Sequence, residues 1–292
     1  MSRNQATAIG FTAILMWALL ALFTVGSAPV PPFQLNALCF TIGGIIGLAW
    51  TARAGRLHLL RAVSWKVYAF GTLGLFGYHA LYFSALRLAP AAEAGLIAYL
   101  WPLLIVLFSG LLPGERLRPG HIAGALAAFA GAALIIARGT AGAADPAALP
   151  GYALALACAL TWSSYSVLSR RLGAVPTASV TIFCLASAAL SVPAHLATET
   201  TLWPDSLRGW AAVACLGLGP VGLAFYSWDI GVKRGDIQLL GTASYAAPLL
   251  STIILVVAGA ADPGLHLALA TVLITVGAAL AARAGARQRP VA

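Results

Sequence analysis

Apolar residues run along this chain in near-continuous stretches of about twenty, and short polar or Pro/Gly-containing breaks divide them. A helix needs roughly 20 such residues to cross about 30 Å of hydrocarbon. The pattern therefore predicts an all-α integral membrane fold with spans at 6–26, 33–52, 66–86, 91–111, 119–137, 150–169, 177–196, 209–231, 237–258 and 265–282. The first run follows only Arg3 and shows no small-residue cleavage site before the next, so it is expected to be a retained helix, not a signal peptide. No stretch remains for a soluble domain.

Composition agrees with this reading. With 61% hydrophobic and 9% charged residues and a mean hydropathy of +0.91, the chain cannot wrap one soluble core in a polar skin, and the bilayer must serve as its solvent. The basic residues then test the number of spans, because a wrong count would scramble the side on which each break lies. With the N-terminus in the cytoplasm, strict alternation places inside Arg3, then Arg53, Arg56, Arg61 and Lys66, then Arg116 and Arg118, then Arg170 and Arg171, then Lys233 and Arg234, then Arg283, Arg287 and Arg289. Only Arg87, Arg138 and Arg208 of the 17 fall outside. Both termini are expected in the cytoplasm, and the chain is expected as a multi-pass protein of a bacterial-type inner membrane. Anchoring uses up the net charge of +9, so no basic stripe is left for nucleic acid. Cys39, Cys158, Cys184 and Cys215 lie inside predicted spans without a CxxC or a Cys/His cluster, so they read as small buried hydrophobes, with no metal and no cofactor implied.

An internal repeat organises the chain. A shift of 146 lays Gly131-Ala132-Ala133-Leu134 on Gly277-Ala278-Ala279-Leu280, Gly95 on Gly241, Tyr99 on Tyr245, Pro102 on Pro248 and Arg87 on Lys233; a shift of 145 lays Trp17 on Trp162. This divides the chain into residues 1–140 and 141–292, five spans each. Five is odd, so the second half is expected upside down relative to the first, as in secondary transporters whose substrate site lies near the midplane between inverted repeats.

These features resemble a known family. The stretch Ala85-Leu86-Arg87-Leu88-Ala89-Pro90-Ala91-Ala92-Glu93-Ala94, the run Tyr99-Leu100-Trp101-Pro102 and the turn Gly114-Glu115-Arg116-Leu117 are similar to the drug/metabolite transporter superfamily of the EamA type; within it, the run Tyr99-Leu100-Trp101-Pro102 and the Gly131-Ala132-Ala133-Leu134 ending of the fifth span are similar to exporters of aromatic amino acids. The resemblance spans essentially the whole chain. It departs in the second half, where Ala261 with Asp262 beside it stands at the place of Glu115. It implies export of amino acids, aromatic and other neutral ones; the second possibility is a broad exporter of cationic drugs or other metabolites.

Helical periodicity puts Gly95, Tyr99 and Pro102 on one stripe and Gly241, Tyr245 and Pro248 on its counterpart. Each proline removes an amide donor, which frees the carbonyls of Ala98 and Ser244. A freed carbonyl at membrane depth needs protein or water to cover it, and in a cavity it could meet a substrate ammonium; the alternative is a packing kink. Tyr78, His79 and Tyr82 lie within the third span, and Trp17, Trp101 and Trp162 lie near the middle of theirs, whereas Trp50, Trp65, Trp203 and Trp210 lie at helix ends, where an interfacial belt is expected. A Trp or Tyr facing lipid at mid-depth would waste its polar atom, so the expected substrate-binding set is Trp17, Tyr78, His79, Tyr82, Tyr99, Trp101, Trp162, Ser244 and Tyr245, around a cavity bounded by spans 1, 3, 4, 6, 8 and 9. Packing between helices is the other role such rings could have. His79 is read as the only histidine well inside a span, the others falling in or next to loops, and Asp229, four residues before Lys233, as half of an ion pair at a helix end.

Enzymes and channels fit less well. There is no HExxH pair, Ser/Lys or Ser/His arrangement or phosphate loop, and no ring-forming charge pattern of a filter. The sequence predicts a monomeric carrier whose partners are the lipid bilayer and a small molecule.

Overall fold

A computed structural model describes residues 1–89, 91–136, 146–257 and 265–286, and it is all-helical over them, without a strand. Pro90, Arg138, Ala261, Asp262, Arg287 and Arg289 lie outside the described residues. Helices α1 (Arg3–Ala18) and α2 (Leu20–Gly26) abut; α3 (Pro32–Arg53), short α4 (Leu57–Arg61) and α5 (Trp65–Thr72) follow. A π-helical segment, Leu73–Gly77, leads into α6 (Tyr78–Leu88). Then come α7 (Ala91–Ala98), α8 (Trp101–Ser109), α9 (Pro119–Ile136), α10 (Leu149–Arg171), α11 (Val180–Thr198) and α12 (Leu207–Leu218). A second π-helical segment, Gly219–Leu223, joins α12 to α13 (Ala224–Arg234), and α14 (Ile237–Ala243), α15 (Ala246–Val257) and α16 (Leu265–Ala286) complete the chain.

Among the described residues, five helical stretches are long and apolar enough to cross a membrane: Arg3–Gly26, Pro32–Arg53, Leu149–Arg171, Thr177–Thr198 and Leu207–Arg234. Five runs expected as single helices are interrupted, among them that at 6–26, which divides at Leu19, and that at 209–231, which contains the second π segment. The run at 66–86 contains the first π segment. Those at 91–111 and 237–258 break at Tyr99–Leu100 and at Ser244–Tyr245, just ahead of Pro102 and Pro248. A proline inside a helix clashes with the preceding turn and lacks a donor, whereas in a first turn it does neither. Both prolines stand in the first turn of a new helix, α8 and α15. They start helices after a break; they do not kink continuous ones.

The bounds of the elements carry the offset seen in the sequence. Both π segments, and α6 with α13, coincide residue for residue under a shift of 146. Packing exchanges under the same shift: α1 lies against α13 while its counterpart α10 lies against α6, and α9 and α3 each pack on their own counterparts, α16 and α11. Small residues let these axes approach, as expected where lipid offers no hydrophobic drive. A Cβ on Gly124 would lie 2.5 Å from the Gly277 carbonyl oxygen, and one on Gly43 2.8 Å from Gly222 Cα.

Polar contacts gather at the two ends. At one, Arg170 pairs with Glu115 and donates to the Val232 and Gly235 carbonyls, both at 2.9 Å, while Arg3 reaches Asp236 at 3.2 Å. Glu115 follows Gly114, whose φ of +80 is the left-handed turn conformation that favours glycine. At the other end the buried carboxylate of Glu199 accepts the Phe33 amide at 3.0 Å and the Gln34 amide at 3.2 Å, and pairs with Arg87 at 3.1 Å. It thereby satisfies orphan donors at the start of α3.

Candidate functional site

Large rings converge where α1, α8, α10 and α13 meet. The centroid of Trp17 lies 6.1 Å from that of Trp101, 5.9 Å from Trp162 and 5.1 Å from Trp228. Trp101 meets Trp228 edge-on at 5.9 Å, and Phe225 closes on Trp162 at 5.7 Å. Edge-to-face contacts set the positive rim of one ring on the negative face of another, worth about 0.5–1.5 kcal/mol per pair beyond burial. Two of the four indole N–H groups donate to named acceptors: Trp228 Nε1 to Ser166 Oγ at 3.0 Å and Trp17 Nε1 to the Pro220 carbonyl at 3.1 Å.

Pro220 belongs to the second π segment, and the first makes an analogous bond. His79 Nδ1 lies 2.7 Å from the Leu75 carbonyl oxygen. A carbonyl only accepts, so Nδ1 carries the hydrogen, and Nε2 is the acceptor of the neutral ring. A π segment shifts the backbone out of the i→i+4 pattern, and in each half one of its carbonyls takes a ring N–H from a side chain. Outward from this level, Tyr78 stacks on Tyr82 at 6.1 Å and tilts against Trp162 at 5.6 Å, while Tyr99 lies 6.4 Å from Trp101. Trp101, Trp162 and Trp228 are buried; Tyr78, His79, Tyr82 and Tyr99 are half-buried. On α6 the half-buried rings continue toward Arg87, whereas Tyr165 and Ser166, one turn further along α10 toward Arg170, are buried.

The structure thus brings together Trp17, Tyr78, His79, Tyr82, Tyr99, Trp101 and Trp162. It places Ser244 and Tyr245 differently. Ser244 is fully buried, its Oγ donates to the Leu240 carbonyl at 2.7 Å, and its own carbonyl accepts the Ala247 amide at 3.1 Å. The expected free carbonyl is therefore taken: the turn tightens, and a donor three residues on replaces the one Pro248 lacks. Tyr245 turns from the ring cluster toward α9, where it meets Phe129 at 5.9 Å, and its hydroxyl accepts the Leu103 amide at 3.1 Å.

Trp228, Phe225 and Tyr165 were not singled out by depth alone. For Trp228 and Phe225 the repeat carried the signal, since the shift that joins Arg87 to Lys233 also lays Tyr82 on Trp228 and His79 on Phe225; Tyr165 falls on Leu19 and had none. Next to Trp228, the buried Asp229 pairs with Lys233 at 2.8 Å and accepts from Thr177 Oγ1 at 2.8 Å. His79 is also not alone: His121 in α9 and His195 in α11 are buried, each in a helix end turn, where the Arg118 amide donates to His121 Nδ1 at 3.2 Å and the two ring nitrogens of His195 lie 2.9 Å from Glu199 and 2.8 Å from Thr201. Cys39, Cys158 and Cys184 are buried and Cys215 is half-buried. A cleft of about 470 Å³ between α1, α3 and α13 contains none of the expected site residues.

Comparison with known proteins gives three results. The model of the EamA-like transporter family matches residues 6–137 and again 149–283. The chain is 59% identical over 283 residues to a protein of Ancylobacter novellus named aromatic amino acid exporter YddG, covering 96% of this chain and 98% of that one; a protein of the same name from Salmonella typhimurium is 25% identical over 267 residues, covering 86% and 88%. A solved crystal structure, titled only as that of a protein, superposes with a TM-score of 0.94 at 56% identity, covering 99% of this chain and all of that one.

Proposed function

The chain belongs to the EamA-like transporter family, and from that membership we propose that it exports amino acids, aromatic and other neutral ones, across the inner membrane by alternating access. The family is one of transporters, not enzymes. The observation that carries the reading is the convergence of Trp17, Trp101, Trp162 and Trp228, bordered on one side by the half-buried Tyr78, His79, Tyr82 and Tyr99. Such a surface offers π faces to a flat or cationic group, and hydroxyl and imidazole groups to its polar end. The names of the relatives support the substrate class.

In this reading ten spans form two inverted halves, 1–140 and 141–292, with both termini in the cytoplasm and the chain acting as a monomer. The matching element bounds and the exchange of α1·α13 with α10·α6 support it. So does the clustering of basic residues on one side of the alternation. Access then alternates between the Arg87 end and the Arg170 end.

Counterflow in proteoliposomes tests the proposal: vesicles preloaded with tryptophan, phenylalanine, threonine or lysine should take up labelled tryptophan against the first three, saturably. Repeating the assay with a pH gradient tests coupling. Uptake of a cationic dye with none of any amino acid would favour the broad-specificity alternative and reject this one.

A further inference from the structure

The cleft between α1, α3 and α13 has no part in the ring cluster, yet its geometry is defined. Helix α13 touches α1 where a Cβ on Gly231 would lie 2.7 Å from Gly10 Cα, and the π segment ahead of it touches α3 at Gly43 and Gly222. Between these contacts α1 and α3 diverge. Thr12 and Met16 form one wall, Gly47 and Trp50 the other, and Tyr226 and Ile230 the floor.

At 1.5 Å per residue, Trp50 lies about 5 Å from the end of α3 at Arg53, and Met16 about 20 Å from the start of α1 at Arg3. The cleft therefore runs from the membrane interface to about the bilayer midplane, the depth of one leaflet of a hydrocarbon core about 30 Å thick. Trp50 in its wall, and Leu15 next to Met16 on α1, are both more than half exposed, as side chains facing lipid are. Two of the polar side chains of its walls are engaged elsewhere: Tyr226 Oη donates to the Gly43 carbonyl at 3.1 Å, and Thr12 Oγ1 to the Ile9 carbonyl at 2.7 Å. A buried water needs two to four polar partners, and those groups are turned away. At the interfacial end, α3 and α13 finish in exposed Arg53 and Arg234, and basic residues at that level attract anionic headgroups.

We propose that this cleft holds one acyl chain of an anionic glycerophospholipid from the leaflet on the Arg3 side, with the phosphate at the level of Arg53 and Arg234. The proposal rests on the chain being embedded in a bilayer, and not on which amino acid it carries, so a negative counterflow result leaves it standing.

The test uses the intact protein in phosphatidylcholine vesicles doped with phosphatidylglycerol bearing a photoactivatable diazirine in its acyl chain. After irradiation, adducts mapped by mass spectrometry should be several-fold enriched on Met16, Tyr226 and Ile230 over Leu160 and Leu168, which are exposed on α10 at comparable distances from its end. Ser227→Phe, and independently Ile230→Phe, should fill the cleft and lower labelling of Met16 and Tyr226 several-fold, with Leu160 unchanged. Arg53→Gln should lower labelling by the phosphatidylglycerol probe and not by a phosphatidylcholine probe with the same chain. Equal labelling of the cleft and of Leu160 would mean ordinary boundary lipid and overturn the proposal. Displacement of the probe by the transported amino acid would overturn it too, because the cleft would then be a substrate portal.

Discussion

The Tyr245 hydroxyl accepts the Leu103 amide hydrogen across 3.1 Å, so the turn between α14 and α15 caps the start of α8 in the other half of the chain. The bond joins the two broken helices near their breaks: Tyr245 stands at one, and Leu103 follows by four residues Tyr99, its counterpart at the other. Tyr245→Phe removes the acceptor and leaves a part-buried amide unpaired, at a cost of about 1 kcal/mol. Thermal unfolding in detergent should show a lower Tm for this variant, with the KM for amino acid close to that of the parent. An unchanged Tm with a raised KM would assign Tyr245 to the substrate instead.

Burial separates the rings into two kinds of test. Trp101 and Trp162 are only 5% and 3% exposed, so truncation to Ala leaves a void and should cost about 3–5 kcal/mol, lowering both folded protein and transport. Tyr82 and Tyr99 are half-buried. Tyr82→Ala and Tyr99→Ala should reach the membrane in near-normal amounts and lose most transport, as judged by fluorescence-detected gel filtration alongside counterflow. Normal transport by both tyrosine variants would mark these rings as packing.

His79 bonds the Leu75 carbonyl through Nδ1. His79→Asn can keep a donor near that carbonyl, and His79→Leu cannot. Transport by the Asn variant should fall less than that by the Leu variant, at equal protein levels. Equal loss in both would point to Nε2, which neither variant reproduces, as the group that matters.

Arg170 joins three elements, through Glu115 and the Val232 and Gly235 carbonyls. Lys is a point charge without the planar fork that serves several acceptors at once. Arg170→Lys should therefore lower the Tm and speed modification, by a membrane-impermeant thiol reagent from that side, of a cysteine placed at Ser166. Parent-like modification rates would show that the contact does not hold this end closed.

Gly277 permits the crossing of α9 and α16, because a Cβ there would lie 2.5 Å from the Gly124 carbonyl oxygen. The obstacle is backbone, so Gly277→Val must separate the helices, an overpacking cost of about 1–3 kcal/mol. The Tm should fall accordingly, and Gly173→Val, with only the Arg170 carbonyl near its Cβ position at 3.3 Å, should be milder. The reverse order would mean that α9 and α16 do not pack as described.

The sequence by itself determined the membrane class, the helical stretches and the repeat. Bilayer solvation acts on each stretch of about twenty residues separately, so local composition suffices to reveal it. The pairing of Tyr99 with Tyr245 and of Pro102 with Pro248 needed only a common offset. The tertiary structure decided which way each side chain turns. A helix that is apolar all round carries no moment to mark its inner face, and its rotation is set by distant partners such as Gly231 against Gly10. That is why Tyr245 left the ring cluster for Leu103, and why the two π segments, which no residue type marks, became visible only once the helices were packed.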